Sequence, residues 1–290
     1  MELQEIYSQK EYYPNCGLTF RRPKISFEVF PPKDNDISSL FDELRLLKKY
    51  NPVLVSLTYG ANGTSKNFSV EILKSIIGLE YNLMPHFTCM VSTKEEIERH
   101  IIAIENLGIE NILALRGDLP GCCYDLSEND FKYANELVEF IHHKTTLSIG
   151  VAGYPECHIE SKSLEEDIQN LKRKIDSGAS AIFTQLFFEN DKFYRYVELV
   201  RNLGIEVPII PGIMPIRSLK QIDKMIEMAN VAVPKNLREQ LEKFPNDAKK
   251  IGVEFAISQC HDLIDNGVDA LHFFTLNHSD MVSEILDNIL

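Results

Sequence analysis

Short β-favouring runs alternate with longer stretches of helical periodicity along almost the whole chain. Eight runs have the apolar, β-branched and aromatic content of buried strands: KISFEVF, PVLVSLTY, MPHFTCM, NILALRG, LSIGVAGY, AIFTQLFF, VPIIPGI and ALHFFTLN. Between them apolar residues recur at the spacing of a helix with one buried face, as in Leu40, Leu44 and Leu47, or Ile97, Ile101 and Ile104. Ser92 to Glu95 and Ser163 to Glu166 read as S-x-x-E capping boxes that start helices. Gly108, Gly178 and Gly204 each follow a periodic run and read as stops. The segment 230–265 is longer than one connection needs, which predicts an additional helix before the last strand. No low-complexity linker or shift of composition divides the chain, so residues 1–290 are expected to form a single domain.

Eight strands alternating with eight or more helices in 290 residues is the arithmetic of a (β/α)8 TIM barrel with additional helices. A doubly wound open sheet would more often use about six strands, and its dinucleotide-binding form would place G-x-G-x-x-G after the first. Here the first strand ends in Pro31-Pro32. The barrel is the better reading.

Composition narrows the partners. The chain is 44% hydrophobic and 25% charged, enough apolar content for a large core. A net charge of −13 argues against nucleic acid or an anionic membrane as a bulk partner, since either needs a basic face. Any anionic ligand must then be held by locally placed Arg, Lys or backbone N–H groups. The cysteines at 16, 89, 122, 123, 157 and 260 form no CxxC pair and are expected to be free, mostly buried thiols in a reducing compartment. No apolar run approaches the roughly 18 residues of a membrane span, and MELQEIYSQK lacks a signal-peptide core. A cytoplasmic protein is expected.

In a barrel the chemistry sits at the C-terminal ends of the strands. Read there, the sequence offers Glu28, Thr58-Tyr59, His86 and Thr88, Arg116-Gly117-Asp118, Tyr154, Gln185, the Pro211-Gly212 turn, and Thr275 with Asn277. Glu28 stands out because an isolated buried carboxylate costs several kcal/mol unless it is paired or takes up a proton. By position alone it is equally a core carboxylate neutralised by a partner. Asp118, after Arg-Gly, has the commoner fate of a turn residue or cap, and His86 that of a satisfied core histidine. Neither His-x-His nor HExxH occurs, so no metal site is expected. No strand end carries the Lys that a Schiff-base aldolase needs. Asp167, Asn170, Lys172, Arg173 and Lys174 read either as a solvated helix face or as a site for phosphates.

Taken together, SFEVFPPK, SLTYGANG, PHFTCM, ALRGD, GYPECHIES followed by LKRKIDSGA, FTQLFF and IIPGIMPI resemble the methylenetetrahydrofolate reductases, in the same order and from about residue 20 to the C-terminus. The resemblance implies a catalytic barrel without a separate regulatory domain. It implies an FAD enzyme that reduces 5,10-methylenetetrahydrofolate to 5-methyltetrahydrofolate by a ping-pong mechanism, with NADH or NADPH as hydride donor and the folate entering the same face afterwards. Glu28 is then the general acid, passing its proton to N10 as the five-membered ring opens. Asp118 is the carboxylate near the flavin ring that also contacts the pterin, and Gln185 the amide that hydrogen-bonds folate. Thr58, His86, Leu115, Arg116, Gly117, Asp118, Tyr133, Ala152, Tyr154, His158, Asp167, Asn170, Arg173 and Lys174 match the family's FAD contacts. Homo-oligomers are common for such barrels, and one is expected here.

The sequence departs from the family at several points. The common G-G-S-T-R after the second strand is Asn62-Gly63-Thr64-Ser65-Lys66, and ALRGD continues with Leu119-Pro120-Gly121 and Cys122-Cys123. Met225 stands where some members place a Phe against the nicotinamide, and His278 where some carry an Arg suited to the folate glutamate tail. These bear on nucleotide preference and tail affinity. The rival readings are another FAD barrel of the proline dehydrogenase type, which is not expected to carry the SFEVFPPK acid, and a flavin-binding subunit without turnover, which has no need to keep Glu28, Asp118 and Gln185 together.

Overall fold

The computed structural model describes residues 1–8, 22–31, 37–58, 70–90, 92–118 and 130–290. Eight parallel strands close into a barrel in chain order, β1 (Lys24–Val29), β2 (Leu54–Leu57), β3 (Leu83–Thr88), β4 (Asn111–Leu115), β5 (Ser148–Gly153), β6 (Ala181–Leu186), β7 (Ile209–Ile213) and β8 (Ala270–Phe274). Closure pairs β1 with β8 through Lys24↔Ala270, Ser26↔His272 and Glu28↔Phe274. All eight expected strands are present, and the expected (β/α)8 barrel is the fold.

Strand alternation sorts the residues into two cores. On β1, Ile25, Phe27 and Val29 join the large apolar layer between the barrel and its surrounding helices. That layer is completed by the faces of α2 (Ile37–Leu47), α3 (Val70–Ile77), α4 (Lys94–Asn106), α5 (Ala134–Lys144), α6 (Leu164–Asp176), α7 (Asn190–Asn202) and α11 (Ser279–Ile289). The inner core is separate. Leu54, Met84, Leu113, Ala181, Phe183, Ile210 and Ala270 pack with Leu3, Ile6 and Tyr7 of the short α1 (Leu3–Ser8). This helix closes the N-terminal mouth: Leu3 N donates to Ser148 Oγ, Asn111 donates to the Met1 carbonyl, and the Lys24 ammonium donates to the Ile6 carbonyl.

The long segment before β8 folds into α9 (Lys235–Lys243), a 3-10 turn at Pro245–Asp247 and α10 (Ala248–Asp265), so two α-helices rather than one are added after α8 (Leu219–Ala229). They share a third apolar cluster with Leu186, Phe188, Met214 and Ile216, over the C-terminal end of β6 and β7. Met225 is part of it.

The cap signals hold with two corrections. The box at α4 is Thr93 with Glu96, not Ser92 with Glu95: Thr93 Oγ1 accepts from Glu96 N and the Glu96 carboxylate accepts from Thr93 N. Both pairs satisfy the same spacing, and the residue holding the extended backbone of the N-cap position takes the role. At α6, Ser163 Oγ accepts from Glu166 N, while Glu166 reaches back to Lys162 N instead of Ser163 N. Gly108, Gly178 and Gly204 all sit at positive φ after their helices, as expected of helix stops. Cys89 and Cys260 are buried and Cys157 half-buried, all three free thiols; positions 16, 122 and 123 lie outside the described residues. Among the described residues no helix is long and apolar enough to cross a membrane.

Candidate active site

Glu28 points into the barrel, opposite in sense to its sequence neighbours. Its surroundings are therefore not the Phe27 and Val29 side chains beside it in the chain, which face the helices. They are imidazoles. Glu28 Oε2 lies 3.6 Å from His86 Nε2 on β3 and 3.9 Å from His272 Nε2 on β8, and all three residues are buried. Both separations are longer than a hydrogen bond. His86 Nε2 is buried without a hydrogen-bond partner among the described residues. Burial pushes the His86 imidazole down to about 4 against the opposing pull of Glu28, so it is neutral at pH 7.

The end of β1 is clasped on both sides. Thr275 Oγ1 donates to the Glu28 carbonyl at 2.7 Å, and Thr58 Oγ1 donates to the Val29 carbonyl at 3.2 Å. Asn277 bonds Phe30 twice, accepting from its N–H and donating to its carbonyl, each at 2.8 Å. Leu276 and Asn277 adopt left-handed backbone (φ 51 and 59), which turns the chain so that the Asn277 amide faces β1. Thr275 and Asn277, read from sequence as polar residues at the end of the last strand, thus spend these bonds on holding the strand that carries Glu28. The Pro211-Gly212 turn is a close approach: a Cβ on Gly212 would meet the Thr184 carbonyl and the Phe274 ring, and Gly212 N donates to Thr184 Oγ1.

A second group gathers at the ends of β4 and β5 and on α6. Arg116 is held bidentately by Glu160, at 2.6 and 2.5 Å. The pair raises the guanidinium's affinity for its proton and lowers that of the Glu160 carboxylate. Tyr154 and His158 stack edge to face with centroids 4.7 Å apart. The buried carboxylate of Asp167 accepts from His158 N and Ser161 Oγ. Lys174, one face further along α6, turns inward and donates to the Ala152 carbonyl at 2.6 Å. Burial pushes the Lys174 ammonium down to about 8 against Asp167, and pushes Asp167 up against Lys174. Burial likewise lowers His158 and raises Tyr154 to about 12.

The five α6 residues do not share one face. Asp167 and Lys174 point to the barrel, Lys172 pairs outward with Asp176, and the exposed Arg173 bonds Asn170. Leu115 and Ala152 are half-buried strand ends. Gly117 has φ 86, and a Cβ there would press on Thr88 at 3.0 Å. Asp118 is exposed beyond β4, and Tyr133 is exposed at the start of α5. Gln185 is half-buried on β6, its Oε1 accepting from Leu186 N. It lies in the register break between Phe183 and Leu186, where β6 and β7 fall out of step. Tyr59, Pro32, Lys33, residues 62–66 and residues 119–123 lie outside the described residues.

Two participants escaped sequence reasoning. His272 is a polar residue inside an apolar strand, the same signal that marked Glu28, but it lies in mid-strand and not at the strand's end. Glu160, the Arg116 partner 44 positions away, stands within GYPECHIES, where nothing local marks it as the partner of a residue on the preceding strand.

A closed parallel barrel with a buried carboxyl facing two imidazoles, and a cluster of donors at neighbouring strand ends, is the architecture of the (β/α)8-barrel enzymes, a class that builds its sites on the C-terminal face. Residues 18–290 match the family described as methylenetetrahydrofolate reductase. The 5,10-methylenetetrahydrofolate reductase of Salmonella typhimurium strain LT2 is 38% identical over 264 residues, covering 89% of this chain and 87% of the relative. That of Escherichia coli K12 is 37% identical with the same coverage. The methylenetetrahydrofolate reductase (NADH) 1 of Arabidopsis thaliana is 36% identical, over 91% of this chain and 48% of the relative. Among solved structures, an uncharacterized protein from Clostridium thermocellum that binds two copies of 5-methyl-5,6,7,8-tetrahydrofolic acid superposes with TM-score 0.63 at 13% identity, over 93% of this chain and 94% of that one, a likeness of fold. The chain belongs to the methylenetetrahydrofolate reductase family. It is an oxidoreductase of folate metabolism.

Proposed function

We propose that this enzyme works as an FAD-dependent, ping-pong reductase of a single catalytic barrel, with NADH or NADPH as donor and Glu28 as general acid, in the cytoplasm. The observation that carries the reading is the burial of Glu28 on the inner face of β1, toward the catalytic end, between the uncharged His86 and the ring of His272, with no Lys or Arg among its ion-pair partners in the described residues. A carboxyl can hand a proton to a leaving nitrogen, and the C-terminal end of the barrel's inner face is where such a barrel meets its substrate.

The residues present fit a flavin dinucleotide. His86 Nε2 is a buried polar atom lacking a partner among the described residues, Ala152 and Leu115 offer half-buried apolar strand ends, and Arg116, Lys174 and His158 follow neighbouring strands as donors, with Arg173 further out on α6. Thr58, Gly117, Tyr133, Tyr154, Asp167 and Asn170 complete the holding set, with the pyrophosphate met by the basic members. When bound, FAD would accept hydride from the nicotinamide and return it to the folate.

The chain's own part is proton control. Glu28 gives its proton to N10 as the N10–methylene bond breaks, and the methylene carbon, now an N5 iminium, receives the hydride to become the methyl group. Solvent restores the proton after product leaves, balancing the one proton consumed per turnover. Gln185 and Asp118 hold the pterin. The test is a visible spectrum taken as purified, after anaerobic NADH, and after methylenetetrahydrofolate. Flavin bands that bleach and return support the reading; a protein that cannot be reconstituted with FAD refutes it. Glu28→Gln should keep bleaching by NADH and lose the return by at least about tenfold. A wild-type return would remove Glu28 as the acid.

A further inference from the structure

We propose that Glu160 is a positioning residue of the cofactor site: it orients two donors, fixing the Arg116 guanidinium through its carboxylate and the tautomer of His158 through its backbone N–H. Glu160 is not among the residues matched to the FAD contacts, and its role rests on the reading of Arg116 and His158 as holders of that cofactor.

The loop after β5 holds Glu160 still. Cys157 takes a left-handed backbone (φ 76), which costs a residue with a Cβ and persists only where its surroundings over-determine it. Here they do. Cys157 N donates to the Tyr154 carbonyl at 3.1 Å and Ser161 N to the His158 carbonyl at 2.9 Å, two tight turns in succession. Cys157 Sγ faces the carbonyls of His158 and Ser161 at 3.5 and 3.8 Å. From α6 the buried Asp167 brackets Glu160, one carboxylate oxygen accepting from His158 N and the other from Ser161 Oγ.

From this anchored loop Glu160 reaches the end of β4. Most exposed ion pairs contribute little, but this one is bidentate and its guanidinium is enclosed, the Arg116 side chain being 19% exposed against 49% for Glu160. A guanidinium has five N–H groups in one plane. Two go to Glu160, and Nε–H goes to the Gly117 carbonyl at 3.4 Å, which leaves two in a plane already fixed. Fixing the plane beforehand spares the side-chain entropy that a ligand would otherwise have to remove. The same residue acts on the imidazole. Glu160 N donates to His158 Nδ1 at 3.2 Å, so Nδ1 carries the lone pair and the ring proton sits on Nε2. Burial lowers the His158 pKa and Tyr154 packs edge to face on the ring, so Nε2–H is an uncharged donor of set direction. A carboxylate beside a site for phosphates opposes the ligand unless it serves to hold a donor.

The experiment measures FAD release on dilution of the holoenzyme, by the fluorescence of the freed flavin, in wild type, Glu160→Gln, Arg116→Lys, Arg116→Ala and the double variant Glu160→Gln/Arg116→Ala. Charge alone would make Glu160→Gln, with one negative charge fewer, hold FAD more tightly. Positioning instead raises its dissociation constant about tenfold. Arg116→Lys, which keeps the charge without the planar fork, should weaken binding by a similar factor. The double variant should bind within about twofold of Arg116→Ala, because the Glu160 carboxylate acts through Arg116. In parallel, 15N spectra of the full chain should show the Nε2–H tautomer of His158, and two separate Arg116 Nη signals that merge in Glu160→Gln as the guanidinium begins to rotate. Tighter binding in Glu160→Gln, additive losses in the double variant, or an Nδ1–H tautomer of His158 would each overturn the proposal. A wild-type chain that takes up no FAD would remove the cofactor reading itself, a result told apart from failure of the positioning role by the 15N signatures, which need no cofactor.

Discussion

Substituting His86 by Gln should make the protein less sensitive to acid, by an amount the structure fixes. The folded state holds this imidazole at about 4, against an ordinary value of 6.5, because the ring is buried. Above 6.5 it is neutral in both folded and unfolded chains and its contribution to stability is fully present. As pH falls below 6.5 the unfolded chain takes up a proton that the folded one refuses, and stability is lost until the folded pKa is passed. The interval from 6.5 to about 4, at roughly 1.4 kcal/mol per pH unit, corresponds to about 3 kcal/mol, of which about 2 is gone by pH 5. His86→Gln keeps an uncharged polar side chain and abolishes the titration. Equilibrium urea unfolding at a series of pH values from 7 to 5 measures the effect, and the difference in slope between variant and wild type isolates it from any packing cost. The variant should lose about 2 kcal/mol less over that range. Equal slopes would mean that His86 is protonated in the folded protein, and the case for an uncharged neighbour beside Glu28 would fail with it.

Two further pairs of substitutions test the scaffold. In Gly153→Ala the new Cβ would press on Tyr196 Oη and sit 2.7 Å from Ile182 Cγ2. The cost should be about 1–3 kcal/mol, read as a fall in melting temperature, and Tyr196→Phe should recover part of it by removing the nearest atom. Asn277→Ala breaks the double bond to Phe30, at a cost of about 1–3 kcal/mol, and slows folate reduction by loosening the end of β1. Asn277→Gly tolerates the left-handed backbone yet still loses the clasp, so it should recover stability over Ala without recovering the rate.

The sequence alone determined the strand count, the barrel and the place of Glu28 within an apolar first strand. These depend on local periodicity, and a strand's alternation is set by its own backbone whatever it packs against. Family motifs carried the donor set at the ends of β3 to β6, because those residues are contiguous in short signatures such as ALRGD and GYPECH. Only the tertiary structure decided what Glu28 faces. His272 reaches Ser26 across 246 positions because the barrel closes β8 onto β1, and a one-residue change of register would turn that imidazole to the outer layer. Closure also made Thr275 and Asn277 a clasp on β1, and the pairing of β4 with β5 brought Arg116 near Glu160. At α4 the choice between two overlapping capping boxes fell to backbone geometry, which the pattern of residues leaves open. Periodicity is a property of the segment, whereas a partner for a buried polar atom is a property of the closed barrel.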